Sequence, residues 1–305
     1  VTRAFAYLDK NNLPMIGVEW SEPGSGKPHT AYNFSRAWDL FRQIKLNNKA
    51  PQLNFLQVML EIDVFHVETF DEVFLTLQEF RPLQDLVISE PHAFQVPVAR
   101  PQKIIGIGRN YREHARELNN PLPTEPIFFS KSPSALLAHQ EAVRLPANVG
   151  AIHHEAELAV VIGKSGANIA GRMALDYVAG YTILNDVTAR ELQKKDTAAG
   201  LPWFRAKSFD TFCPLGPYLI PRGCVPEPQA LTITLTINGE IRQNGNTADM
   251  VFPVAELVSY ISRFCTLQPG DIIATGTPEG VGPLHSGEVM VTSISGLGEL
   301  INPIV

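Results

Sequence analysis

Two glutamates set two apart, Glu155 and Glu157 in "HHEAELAVVIG" (153–163), stand at the front of a run that otherwise reads as a buried strand. Alternate side chains of a strand point to the same face, so both carboxylates project from one surface, about 7 Å apart by strand rise. The opposite face carries Ala156, Leu158, Val160 and Ile162, which is core material. Two ionised carboxylates side by side on a half-buried face repel. Taken alone, the pair reads as a solvated strand face or as an ion pair with lysines nearby. Asp186 shifts that balance, because it ends a second apolar strand, "GYTILND", where a side chain reaches into a cleft. Three carboxylates with no cysteine and no His-x-x-x-His suit a hard cation, Mg2+ or Mn2+, with coordination positions left for water or substrate. His153 and His154 adjoin these hard ligands and are read as packing or supporting residues rather than zinc ligands.

Two further groups join the carboxylates. Lys207 in "FRAKSFD" is expected between strands among aromatics, a candidate for holding a substrate carboxylate or a developing oxyanion. His114 and Glu117 in "REHARE" are three apart on an expected helix and therefore neighbours on one side. A carboxylate there orients the imidazole and raises its basicity, which makes a general base for water. In isolation such a pair is a surface salt bridge, and its meaning depends on what surrounds it.

The elements that must position these groups follow from periodicity. In the first hundred residues, "AFAYL" and "MIGVEW" are short apolar runs, and "AWDLFRQIKL", "FLQVMLEI" and "FDEVFLTLQEF" have helical spacing. This predicts a small α/β accessory domain over 1–98, with "FQVPVARPQ" as linker and the catalytic domain over 99–305. Beyond it the pattern is β-rich. "IIGIG", "ELAVVIG" and "GYTILND" read as strands, and "LTITLTI" runs into Asn238-Gly239, a hairpin-turn signal. "NYREHARELNN", with an Asn-Pro stop at 120–121, "TARELQKKD" and "VAELVSYISRF" read as helices, and "PGDIIATGTPEGVG" as a strand entering a glycine-rich loop. The order predicts an α+β fold with a mixed, mostly antiparallel sheet.

Several function classes drop out. A formal charge of −6 over 305 residues lacks the basic footprint of a nucleic-acid binder, so none is expected as a partner. No apolar run approaches the roughly 18 residues of a membrane span, and the opening "VTRAFAYLDKNN" has no signal-peptide segment. The opening also lacks Met, which reads as trimming or a start inside a longer product. Cys213, Cys224 and Cys265 are odd in number with no Cys-x-x-Cys, which suits a reducing compartment: the cytoplasm, or an organelle interior such as the mitochondrial matrix. "GIGRNY" has Tyr111 where a dinucleotide fingerprint needs its third glycine, "GKS" (163–165) lacks the upstream glycine of a P-loop, and Gly-x-Ser-x-Gly is absent.

From about residue 100 onward the chain resembles the fumarylacetoacetate hydrolase superfamily. The resemblance is carried in order by "IIGIGRNYREHARE", "FFSKSPSAL", "HHEAELAVVIGKSG", "VAGYTILNDVTARELQ", "GLPWFRAKSFDTFCPLGP", "LTINGEIRQNGNTADMVF" and "LQPGDIIATGTPEGVGP". "KKDTAAGLPWFRAKSFD" looks most like the acylpyruvase and oxaloacetate-decarboxylase branch, and the first hundred residues resemble more loosely the accessory domain of longer members. The resemblance implies a mixed β-sandwich roll assembled as a homodimer and dependent on Mg2+ or Mn2+. It implies Glu155, Glu157 and Asp186 as metal ligands, Lys207 as the pocket lysine, and His114 with Glu117 as a water-activating dyad on a mobile lid. Gln193 would orient substrate and Thr277 anchor it, with Arg109 and Lys131 as further pocket residues. The implied activity is C–C bond cleavage in a small 2-oxo acid through a pyruvate enolate, by 3-acylpyruvate hydrolysis, oxaloacetate decarboxylation, or both. The alternatives are a 2-hydroxyhepta-2,4-diene-1,7-dioate isomerase or decarboxylase and a non-catalytic metabolite-binding relative.

Overall fold

A strand with aliphatic residues at nearly every position is stable only where both of its faces are covered. The strand Ala156–Ile162 meets that condition, with all seven residues buried in the computed structural model, which describes residues 1–89, 93–117 and 121–305. This corrects the half-buried face expected for Glu155 and Glu157, since the strand runs through the middle of a sheet and both carboxylates are enclosed.

Among the described residues that sheet has eleven strands. Its main path runs Thr30–Asn33, Pro14–Trp20, Arg3–Leu8, Cys213–Pro221, Val178–Asn185, Ala156–Ile162, Ile272–Ala274, Ile104–Gly108 and Ile127–Lys131. Neighbours along the path are antiparallel except Ile272–Ala274 beside Ile104–Gly108. A second, four-stranded antiparallel sheet (Glu240–Asn246, Thr232–Ile237, Val289–Ile294, Gly298–Pro303) packs across the strands Ala156–Ile162, Val178–Asn185 and Cys213–Pro221. The result is the mixed α+β architecture that the strand-heavy pattern predicted, with sheet on sheet and few helices. Asn238 (φ 49°) and Gly239 (φ 83°) both lie in the left-handed region, as a two-residue hairpin turn requires.

The first hundred residues share this sheet. Arg3–Leu8 pairs with Cys213–Pro221, so the ladder crosses the boundary placed at 98/99. The stretch read as a linker begins as the strand Ala93–Gln95, paired with Arg3–Leu8, and Val98 is fully buried. The amphipathic helices Phe34–Lys45 and Val67–Phe80 turn Phe34, Trp38, Phe41, Phe70 and Phe74 inward, where Phe74 packs on Trp20, and this aromatic cluster belongs to the same hydrophobic core as the central strands. The three cysteines are free. No helix among the described residues is long and apolar enough to cross a membrane.

Gly180 lies where two central strands leave no room for a side chain. A Cβ there would lie 2.2 Å from the carbonyl oxygen of Ile220 on the adjoining strand. Backbone cannot rotate away as a side chain can, so Gly180→Ala is expected to cost about 3 kcal/mol, the upper end of ordinary overpacking. The measurement is the guanidinium unfolding midpoint, and an unchanged midpoint would show that the strands part freely.

Candidate active site

Register converts three separate carboxylates into one cluster. The strands Ala156–Ile162 and Val178–Asn185 pair antiparallel with Glu157 opposite Leu184, and the Asp186 N–H donates to the Glu155 carbonyl (2.8 Å), which carries the pairing one step further. Residues directly opposite each other share a face, as do alternate residues of one strand. Glu155, Glu157 and Asp186 therefore project together, with one ligand oxygen from each within 4.8 Å of the others, and all three are buried.

Three buried cations surround them. Lys207 Nζ donates to Glu155 Oε2 (2.8 Å) and to Asp186 Oδ2, and lies 5.0 Å from the centre of the Phe129 ring. Lys207 ends a one-turn helix, Phe204–Lys207, rather than lying between strands. Lys131 Nζ donates to Asp186 Oδ1 (2.6 Å) and to the Lys207 carbonyl. Expected in the pocket, it stands behind the cluster, because the inward face of its edge strand points at Asp186. Arg190 donates to Glu155 Oε1 and to Gln193 Oε1 (2.7 Å). Sequence reading missed Arg190, although a cation in the first turn of a helix runs against the dipole and signals a partner outside it.

Burial opposes ionisation of Glu155, but Lys207 and Arg190 outweigh it and hold its carboxyl well below the usual range. Burial, and then the like charges of Asp186 and Glu155, push Glu157 well above it. Burial works against the Lys207 ammonium, yet Asp186 and Glu155 raise it above its ordinary value, so the lysine stays charged. Of the Glu157 side chain, Oε2 accepts from Gly276 N (2.7 Å).

The cluster opens into a cleft of about 340 Å³ whose lining includes Glu155, Glu157, Lys207, His114, Gln193 and Thr277. Arg109 also lines it, at φ 57°, a strained backbone position for a non-glycine residue. Asp186, Glu117 and Lys131 are not among the lining residues. His114 Nδ1 lies 3.2 Å from Glu117 Oε2, and Glu117 Oε1 accepts from Gly280 N (3.1 Å). The His114 hydrogen bond holds the Glu117 carboxyl below its ordinary value. The helix carrying both is Arg112–Glu117, and the Asn-Pro stop expected after it falls at Asn120, outside the described residues. An aromatic wall lines the same cleft as His114. Trp203 packs edge-on against Phe129 (5.5 Å) and donates from Nε1 to Thr197 (2.8 Å). The glycines of "GIGRNY" make room for this wall, since a Cβ at Gly106 would meet Phe129 at 2.3 Å and one at Gly108 would meet Trp203 at 2.7 Å.

His154 is buried, with Nδ1 3.0 Å from Gln243 Oε1, and His153 is half-buried; burial lowers both imidazoles, His153 to about 4. Neither belongs to the ligand group among the described residues. The group offers carboxylate oxygens alone, each carboxylate has about four lone-pair sites, and an ammonium already bridges two of them. This donor set fits Mg2+ or Mn2+ and disfavours a soft metal.

Lys207 therefore carries charge balance for two of the three carboxylates. Lys207→Met removes an ammonium shared by two buried carboxylates, and breaking a buried ion pair typically costs about 3–5 kcal/mol. The loss should fall near the lower limit, because Arg190 and Lys131 remain. Added Mg2+ should then raise the melting temperature of the variant more than that of the parent. An equal rise in both proteins, by calorimetry, would refute the shared charge balance.

Residues 103–305 match the model of the fumarylacetoacetate (FAA) hydrolase C-terminal family. Among curated relatives, oxaloacetate tautomerase FAHD1, mitochondrial, of Arabidopsis thaliana is 46% identical over 198 residues, 65% of this chain and 88% of the relative. Among solved structures, a fumarylacetoacetate hydrolase from psychrophilic Exiguobacterium antarcticum aligns over 100% of this chain and 99% of its own, with a TM-score of 0.78 at 28% identity. A fumarylpyruvate hydrolase from Pseudomonas aeruginosa, in complex with Mn2+ and pyruvate, aligns over 71% of this chain and 92% of its own, with a TM-score of 0.65 at 40% identity.

Proposed function

The chain belongs to the fumarylacetoacetate hydrolase family, and from that premise we propose that it is a Mg2+- or Mn2+-dependent enzyme that cleaves a C–C bond in a small anionic 2-oxo acid, a 3-acylpyruvate or oxaloacetate. One arrangement carries this reading: a buried carboxylate triad balanced by Lys131, Lys207 and Arg190, in a cleft that also exposes His114. Once a divalent cation offsets the like charges that oppose ionisation of Glu157, three negative side chains stand against three positive ones, and the net charge of the loaded cluster attracts an anion.

Glu155, Glu157 and Asp186 would hold the cation, which supplies Lewis-acid polarisation of a substrate oxygen. Lys207, kept protonated by its carboxylate neighbours, faces the same region and stabilises negative charge that grows on the enolate oxygen. Glu117 takes the Nδ1 proton of His114 in a hydrogen bond, leaving Nε2 free to accept a proton. In acylpyruvate hydrolysis that proton comes from the water that attacks the distal carbonyl. Trp203 and Phe129 form the apolar wall that excludes other water. Gln193, itself held by Arg190, orients the substrate. Residues 1–98 act as an accessory unit, and no lining residue of the cleft among those described comes from them.

Keto–enol interconversion of oxaloacetate is the second reading, favoured by the name of the Arabidopsis relative and by a base at His114 that serves a C–H proton equally well. The assay supplies Mg2+ or Mn2+ with acetylpyruvate, fumarylpyruvate and oxaloacetate, and follows the enol absorbance together with pyruvate. Pyruvate release supports cleavage, whereas enol change without pyruvate selects tautomerisation. No change in any substrate sinks both readings.

A further inference from the structure

A threonine hydroxyl rotates freely, and whether it donates to a ligand or accepts from it is ordinarily open. At Thr277 the surroundings decide. Gln243, 1% exposed on the strand Glu240–Asn246, places Oε1 3.0 Å from Ala156 N, a group that only donates. Its Nε2 lies 2.9 Å from the Pro278 carbonyl, a group that only accepts. Flipping the amide would set donor against donor and acceptor against acceptor, so its orientation is determined. Nε2 also lies 2.8 Å from Thr277 Oγ1, and there the threonine is the acceptor. The hydroxyl hydrogen of Thr277 is left without a protein acceptor among the described residues, on a side chain that lines the cleft. On the other flank, His154 Nδ1 faces the same Oε1 and must carry a proton, which leaves Nε2 bare, buried and unpartnered.

We propose that Gln243 sets Thr277 as a hydrogen-bond donor to an anionic oxygen of the substrate, and that His154 locks Gln243 in that orientation. This deepens the function proposed above and rests on it. Gln243 and His154 are positioning residues, since neither lines the cleft. The consequence is a selection rule: the Thr277 wall favours a carboxylate or enolate oxygen and refuses a group that can only donate, such as an ammonium.

The test uses the full chain with Mn2+ and oxalate as probe, measured by titration calorimetry. Thr277→Val should weaken oxalate binding about tenfold or more, as expected for a lost hydrogen bond to a charged group, and Thr277→Ser should recover the affinity. Gln243→Glu keeps the shape but turns an acceptor toward Thr277 and draws its hydroxyl away from the cleft. It should weaken oxalate as Thr277→Val does, and the double variant should be no weaker than either. Losses that add, or a Thr277→Val protein of parental affinity, would overturn the assignment. Because Gln243→Glu also faces the Pro278 carbonyl and could unfold the site, a measurement on the parent protein stands beside it. Nitrogen-15 shifts of the His154 ring should show the Nδ1–H tautomer with no ligand present, and the Nε2–H tautomer would overturn the lock. Failure of the parent protein to bind oxalate with either metal would instead sink the proposed function and this assignment with it.

Discussion

Glu155→Ala, Glu157→Ala and Asp186→Ala are each expected to abolish turnover of every 2-oxo acid substrate, and EDTA should do the same reversibly. The reason is the convergence of their oxygens within 4.8 Å in a buried pocket where no other carboxylate, cysteine or histidine joins them among the described residues. Loss of a group that merely supports a metal ligand costs about 10–100-fold in metal affinity, so loss of one ligand in three should exceed that. Mn2+ titration followed by electron paramagnetic resonance reads affinity without relying on turnover. The Glu155 and Asp186 alanines also leave buried cations short of a partner, and Glu157→Gln, which keeps volume at a carboxylate that pairs with no cation among the described residues, controls for instability. Activity that survives both EDTA and Glu157→Ala would make the triad a structural ion cluster.

His114→Ala should separate the two cleavage reactions. General-base catalysis is typically worth about 10²–10⁴ in rate, so acylpyruvate hydrolysis, which needs a deprotonated water, should fall by that order. Oxaloacetate decarboxylation releases CO2 without an attacking water and should fall less. Glu117→Ala should act in the same direction with a smaller effect, because Glu117 orients His114 through the 3.2 Å contact and does not line the cleft itself. The quantity to measure is the ratio of the two activities in the parent and in His114→Ala. Equal losses would assign His114 to substrate binding and remove the proposed division of labour.

Much of the site is legible in the amino-acid sequence alone. Period-two alternation puts Glu155 and Glu157 on one face, the end of "GYTILND" puts Asp186 at a strand terminus, and the absence of soft ligands points to a hard cation. The helical spacing of His114 and Glu117 survives as a hydrogen bond. The Asn238-Gly239 hairpin forms where its backbone demands are met. These features depend on the conformation of a few consecutive residues, and local sterics decide them.

Tertiary structure decided which partners each group has. The Asp186–Glu155 backbone contact aligns two strands and turns a pair of glutamates into a triad. Lys131 reaches Asp186 across 55 residues and leaves the pocket, while Arg190 reaches Glu155 across 35 and joins the site. Gln243, which lies in "LTINGEIRQNGNTADMVF" with no role implied for it there, meets His154 across 89 residues and Thr277 across 34. The sheet that buries the triad also takes in Arg3–Leu8 from the far side of the expected domain boundary. Hydrophobic periodicity reports which side of an element faces inward, because burial acts on each residue by its own surface. It carries no information on what lies opposite, because ion pairs and hydrogen bonds act between elements whose register is set only when the sheets assemble and pack.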